Sequence, residues 1–287
     1  MTAPVVVGVD GSQESLAAVG LAVRVAVERH RSVRVVHAFV WPLLHAPLGP
    51  SPYGPPEGGL RNVADQTVRE AEAYSHRMDP RVETSTEVVT GGVAAVLLRE
   101  SRTAAMVVLG DRGLGGFSGL LIGSVAVQVA AHAPIPVLVA RGESRTDGPV
   151  VVGVDGSPNA LRAVAFAAEE AALRKTDLVA VHAWTGPVSS GPGDMLPPVY
   201  DPALVAAEES RVLSESTAGL ADRYPDLLVT HRLVRGRTRH TLIEASHEAQ
   251  LVVVGARGRG GFTGLLLGSV SQALLHHAGC PVAIVKP

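Results

Sequence analysis

Gly110-Asp-Arg-Gly-Leu-Gly-Gly-Phe-Ser-Gly-Leu-Leu-Ile-Gly-Ser-Val125 decides how the rest of the chain is read. It returns from Gly255 to Val270 with 12 of 16 positions identical, the exceptions being Asp111/Ala256, Leu114/Arg259, Ser118/Thr263 and Ile122/Leu267. Each copy follows a short apolar run, Met106–Leu109 or Leu251–Val254, and leads into a segment of helical composition. A strand that feeds a glycine-rich loop opening into a helix is a setting for phosphate. Glycine removes the Cβ that keeps an anion from backbone N–H groups, and the helix start offers unpaired donors and partial positive charge.

The surrounding sequence repeats with the loop. Asp10 and Asp155, His37 and His182, Gly110 and Gly255, and Pro136 and Pro281 all differ by 145. One constant offset over the whole length means two copies of one domain, expected over 1–141 and 149–287. The polar stretch Arg141-Gly-Glu-Ser-Arg-Thr-Asp-Gly148 reads as the linker.

Within the first copy, Pro4–Val9 reads as a buried strand and Ser12 as the N-cap of an amphipathic helix carrying Leu16, Val19, Val23 and Val27. Val33–His37 is the second strand. The Pro/Gly-rich stretch Phe39–Gly59, like Trp184–Ala203 in the second copy, reads as a long surface loop. Arg61–Met78 reads as a surface helix with Val63, Val68, Ala71 and Tyr74 interspersed. Val82–Val89 is a strand, and Gly92–Arg102 a short helix with Val93, Val96 and Leu97 inward. Met106–Leu109, Ser124–His132 and Pro136–Val139 complete the copy as strand, helix and strand.

This alternation implies an α/β fold: a five-stranded parallel sheet with helices on both faces, twice. In such sheets a ligand sits at the carboxyl ends of the strands where the strand order reverses. An order of 3-2-1-4-5 brings Asp10, which ends strand one, beside Gly110, which ends strand four.

Composition narrows the function. The chain has 287 residues, 46% of them hydrophobic and only 3% aromatic, so Val, Ala and Leu fill the cores. A net charge of -2 gives no broad basic field, so no nucleic-acid partner and no membrane partner is expected. The single cysteine, Cys280, excludes an intrachain disulfide and reads as a buried apolar residue. No run approaches the ~20 apolar residues of a membrane span, and Met1-Thr-Ala-Pro-Val lacks a signal-peptide pattern, so the cytoplasm is the expected compartment. A Walker G-x-x-x-x-G-K-[ST] motif and a G-x-G-x-x-G after strand one are both absent, which removes P-loop NTPases and dinucleotide-binding Rossmann sites.

The spacing Gly110-x2-Gly113-x9-Gly123-Ser124 recurs as Gly255-x2-Gly258-x9-Gly268-Ser269. With Val9-Asp-Gly-Ser12 and Val154-Asp-Gly-Ser157, it resembles the ATP-binding branch of the universal stress protein family, in tandem form. The resemblance implies two Rossmann-like domains of the adenine nucleotide alpha hydrolase-like type, with ATP and Mg as cofactors. It implies that Asp10 and Asp155, with Gly11, Ser12, Gly156 and Ser157, meet the ribose hydroxyls or an ion near the phosphates. Ala38 and Ala183, expected just past strand two, would offer backbone to adenine. Gly110, Gly113, Gly123, Gly255, Gly258 and Gly268 would let the loop wrap phosphate. Ser124, Val125, Ser269 and Val270 would donate to it at the helix start. Arg112 and Arg257 lie inside the loops and read either as phosphate contacts or as solvated surface cations. His37 and His182 read as core or supporting residues. With Ala256 in place of Asp111 and Arg259 in place of Leu114, the second copy is expected to bind ATP at least as tightly as the first.

Three functions follow as expectations. The first is an ATP-binding stress-response regulator with two sites per chain; both motifs lack a catalytic lysine, paired carboxylates and a positioned base. The second is a slow Mg-dependent ATPase or a phosphoryl- or nucleotidyl-transfer enzyme. The third is a nucleotide-independent interaction scaffold. The fifth strand of each copy reads as a sheet edge, and the resemblance implies a homodimer through such strands.

Overall fold

The computed structural model describes residues 2–40, 59–114, 122–185, 201–260 and 266–286. They form two compact units, Met1–Ala140 and Arg141–Pro287. The first contains β1 (Val5–Gly8), α1 (Gln13–Glu28), β2 (Val33–Phe39), α2 (Leu60–Met78), β3 (Thr84–Thr90), α3 (Val93–Glu100), β4 (Met106–Gly110), α4 (Ser124–His132) and β5 (Val137–Ala140). The second contains β6 (Val150–Gly153), α5 (Pro158–Arg174), β7 (Leu178–Trp184), α6 (Pro202–Ser216), α7 (Leu220–Arg223), β8 (Val229–Arg235), α8 (Thr238–Ser246), β9 (Leu251–Gly255), α9 (Ser269–His277) and β10 (Val282–Val285). At the offset of 145, the short α7 corresponds to the last turn of α2, so the single helix α2 is matched in the second unit by α6 and α7.

Every strand pairing within a unit is parallel. The first unit runs β3-β2-β1-β4-β5, and the second runs β8-β7-β6-β9-β10, so both follow the 3-2-1-4-5 order. Val5 pairs with Val33 on one side and Met106 on the other; Val150 pairs likewise with Leu178 and Leu251. The central strands are covered on both faces, which explains their unbroken apolar runs: Val5, Val7, Val107 and Val108 are fully buried.

Several elements depart from the sequence reading. β2 runs on to Phe39, which pairs with Thr90 and is buried, so Ala38 lies within the strand rather than past it. Ala183 lies likewise inside β7. The buried stripe of α2 is Ala64, Val68, Ala71 and Ser75, at helical spacing, while Val63 points outward at 62% exposure. In α3, Val96 and Leu97 are buried, but Val93 is exposed at the first turn. The loops expected over Phe39–Gly59 and Trp184–Ala203 fall mostly outside the described residues. Cys280 is fully buried, and burial pushes its thiol up to about 12, so it stays a neutral core group at physiological pH. No described helix is long and apolar enough to cross a membrane.

Candidate functional site

In each unit the strand order reverses between the first and fourth strands, and a cavity opens at their carboxyl ends. The first, of about 600 Å³, lies between Asp10, Ala38, the β4–α4 segment Gly110–Gly113 and the start of α4 at Gly123–Ala126. The second, of about 340 Å³, is bounded by Asp155, Ala183, Gly255, Arg257–Gly260 and Gly268–Ser271. Apolar side chains wall the first cavity, Val36, Leu97, Leu109 and Ile122 among them; Leu242, Val254 and Leu267 wall the second.

The structure therefore brings most of the sequence-derived residues together. Asp10, Ala38, Gly110, Arg112, Gly113, Gly123, Ser124 and Val125 line one cavity. Asp155, Ala183, Gly255, Arg257, Gly258, Gly268, Ser269 and Val270 line the other. Gly11, Ser12, Gly156 and Ser157 stand behind them, in the turns from β1 to α1 and from β6 to α5. Both glycines have positive φ, 89° and 71°, and both serines are buried. Ser12 accepts from the Ser15 amide at 3.1 Å and Ser157 from the Ala160 amide at 3.2 Å; each caps its helix.

Asp10 is the centre of its site. Its Oδ1 accepts from the Ser12 hydroxyl at 2.6 Å and the Ser12 amide at 3.0 Å, and its Oδ2 from the Leu114 amide at 2.8 Å. Burial works to raise this carboxyl. The hydrogen bonds from Ser12, Leu114 and Ser15 outweigh it, and the group titrates below its ordinary 3.8. Asp155 repeats the arrangement, accepting from the Ser157 amide at 2.9 Å and the Arg259 amide at 2.8 Å. The aspartate thus clasps the glycine-rich segment to the end of the first strand.

That clasp explains one glycine in each copy. A methyl on Gly113 would overlap Asp10 Oδ2, and one on Gly258 would overlap Asp155 Oδ2. Gly113 and Gly258 are bare so that a carboxylate can approach, a partner the sequence reading did not assign to them. Gly110 and Gly255 meet the first turn of α1 or α5, where an added Cβ would stand 2.8 Å from Glu14 backbone or from the Asn159 side chain. The Gly123 amide donates to the Asp111 carbonyl at 2.7 Å, and Gly268 to Ala256 at 2.8 Å, tying each helix start to the strand end.

The helix starts themselves lack side-chain caps. Gly123 and Gly268 are the N-cap residues of α4 and α9, and neither receives a side-chain hydrogen bond. A glycine cap leaves first-turn amides facing the cavity, where an external acceptor satisfies them.

Further residues support the site, with Glu14, Asn159, Thr238 and Glu209 not singled out from the sequence. Glu14 binds Arg112 at 3.0 Å across the first cavity, and Asp111 lies 3.9 Å from the same guanidinium. At the equivalent of Glu14, Asn159 instead donates to the Arg257 carbonyl at 3.1 Å. Thr238, equivalent to Val93, donates to the Ala183 carbonyl at 3.3 Å. His37 and His182 bond the carbonyls of Val9 and Val154 at 2.8 and 2.6 Å, steadying the residue before each aspartate; His182 also meets Glu209 at 2.6 Å. The equal spacing of the two histidines marked them, but Glu14 sits in an amphipathic helix and carried no signal.

Comparison with known proteins agrees with this architecture. The model of the universal stress protein family matches residues 1–141 and again 148–286. A universal stress protein of Mycolicibacterium smegmatis is 36% identical over 295 residues, covering 99% of this chain and 97% of that protein. One from Mycobacterium tuberculosis is 38% identical over 303 residues, covering 98% and 94%. The crystal structure of a universal stress protein from Archaeoglobus fulgidus matches 99% of this chain and 98% of its own with a TM-score of 0.63; at 19% identity it speaks for the fold alone. Two family domains in one chain, each with an aspartate-clasped glycine segment at its switch point, make this protein a tandem member of the universal stress protein family.

Proposed function

We propose that each unit binds one adenine nucleotide, ATP in the first instance, and that the protein acts as a stress-response regulator whose conformation answers to nucleotide. One observation carries the reading: in both units an uncapped, glycine-started helix opens onto a cavity with an apolar wall and a fixed carboxylate. The wall suits a flat base, and strand backbone at Ala38 and Ala183 suits its edge. Asp10 and Asp155 suit vicinal hydroxyls, and the amides of Val125 and Val270 with the hydroxyls of Ser124 and Ser269 suit phosphate oxygens.

Magnesium fits as a companion of the triphosphate rather than as a resident ion. Among the described residues no three His, Cys, Asp or Glu side chains cluster to hold a metal. Mg²⁺ keeps several waters and takes phosphate oxygens with one or two carboxylates, which Asp10 and Asp111 offer in the first cavity and Asp155 in the second. Binding without turnover is favoured because Asp10 is committed to three hydrogen bonds, which makes it a poor proton acceptor.

Mass analysis of nucleotide released from the native protein tests the reading; the expected result is adenine nucleotide at up to two per chain. Gly113→Ala with Gly258→Ala places a methyl against each aspartate and is expected to reduce binding at least tenfold. ADP or AMP accumulating well above that variant's background would favour an enzyme. Equal growth and stress survival of cells carrying the double variant or the wild type would remove the regulatory role.

A further inference from the structure

The two crevices are built alike but charged differently. Ionisable side chains lining the first are Asp10, Glu14, Asp111 and Arg112, three carboxylates against one guanidinium, or −2. Those lining the second are Asp155, Arg257 and Arg259, one carboxylate against two guanidiniums, or +1. The difference of three charges arises from Glu14/Asn159, Asp111/Ala256 and Leu114/Arg259. Arg112 is held by Glu14 and lies beside Asp111, so the first crevice's cation is already answered by acids. At the second crevice, position 159 is an amide and position 256 a methyl. Leu114 is 72% exposed, whereas its counterpart Arg259 reaches back across Gly156, where a methyl would overlap its guanidinium. Arg259 is among the residues lining the second crevice.

We propose that the two crevices sort adenine nucleotides by phosphate charge. The second takes the bare polyphosphate, through Arg257 and Arg259 together with the α9 amides. The first takes the monophosphate, and accepts a polyphosphate only when a divalent cation has reduced its charge. The inference rests on nucleotide binding at both sites and names the ligand class of each. The underlying rule is charge complementarity: guanidinium donors reward each added phosphate, while carboxylates beside the same anion site penalise it.

Titration calorimetry of the full chain with ATP and with AMP, in EDTA and then in excess Mg²⁺, tests this. With the first crevice closed by Gly113→Ala, the remaining site is expected to bind ATP at least tenfold tighter than AMP in EDTA. With the second closed by Gly258→Ala, the order is expected to reverse in EDTA, and Mg²⁺ to raise ATP affinity at least tenfold. Should either closing variant fail to fold by circular dichroism, Arg259→Leu in the otherwise intact chain replaces it. That change is expected to weaken ATP at one of two sites about tenfold and leave AMP within twofold. Matching ATP-to-AMP ratios at the two sites, or no effect of Arg259→Leu on ATP, overturns the sorting while leaving nucleotide binding intact. No adenine nucleotide bound by the wild-type chain overturns both.

Discussion

Asp10 shows how one side chain can serve the fold and the site together. Its three hydrogen bonds join the β1–α1 turn to the β4–α4 segment, 104 residues away in sequence. Asn is nearly the same shape but carries a donor on one side. If its oxygen keeps Ser12, its NH₂ faces the Leu114 N–H, and the clasp is lost. Asp10→Asn is therefore expected to cost about 1–2 kcal/mol at pH 7, a modest figure because the carboxylate is partly in water. The pH dependence has a definite sign. The folded pKa is depressed below 3.8, so the ionised group's contribution is fully present above 3.8 and is lost as pH falls from there through the lower folded value. Urea unfolding of wild type and variant should show a gap that is constant near neutrality and closes below 3.8. A gap that widens in acid would contradict the assignment.

At the scale of elements, the two capping serines allow an internal comparison. Ser12 and Ser157 each receive a first-turn amide, but Ser12 also donates its hydroxyl to Asp10, whereas Ser157 reaches Asp155 through its backbone amide. Ser12→Ala removes a cap and one of Asp10's donors, an expected cost of about 2 kcal/mol; Ser157→Ala removes the cap alone, about 1 kcal/mol. Chemical denaturation of the two variants checks the ranking, and equal losses would mean the extra bond contributes nothing. The caps were legible because Ser at the end of an Asp-Gly turn before an apolar periodic run is a local signal. The ends of β2 and β7 were not. Ala38 and Phe39 become strand only through pairing with Val89 and Thr90, partners about 50 residues away. Which residues of α2 form its buried stripe was not legible for a similar reason. Val63 is the more apolar residue, but the geometry of packing selects Ala64, which sits four residues before Val68.

At the scale of the whole chain, duplication made the site legible. A single glycine run has many explanations, whereas a run returning at a fixed offset with the same aspartate upstream has few, and the strand order places both at a switch point. What duplication concealed was the partner of Gly113 and Gly258. A sequence shows that a Cβ is missing but not which atom occupies its place, and here that atom belongs to the aspartate. The repeat also yields a prediction about the entire molecule. A ligand that binds only the folded state stabilises it by RT ln(1 + [L]/Kd), about 2.7 kcal/mol per site at a hundredfold excess over Kd. For a domain of this size that is roughly 10 °C in Tm. Excess MgATP should therefore raise the unfolding temperature of the wild-type chain. Asp10→Ala or Asp155→Ala should remove the gain from one unit only, either leaving one of two transitions unshifted or halving the shift of a shared one. The double variant should show no gain. Calorimetric scans of the four proteins with and without MgATP decide the matter, and a double variant still stabilised as strongly as wild type would mean that the nucleotide binds elsewhere.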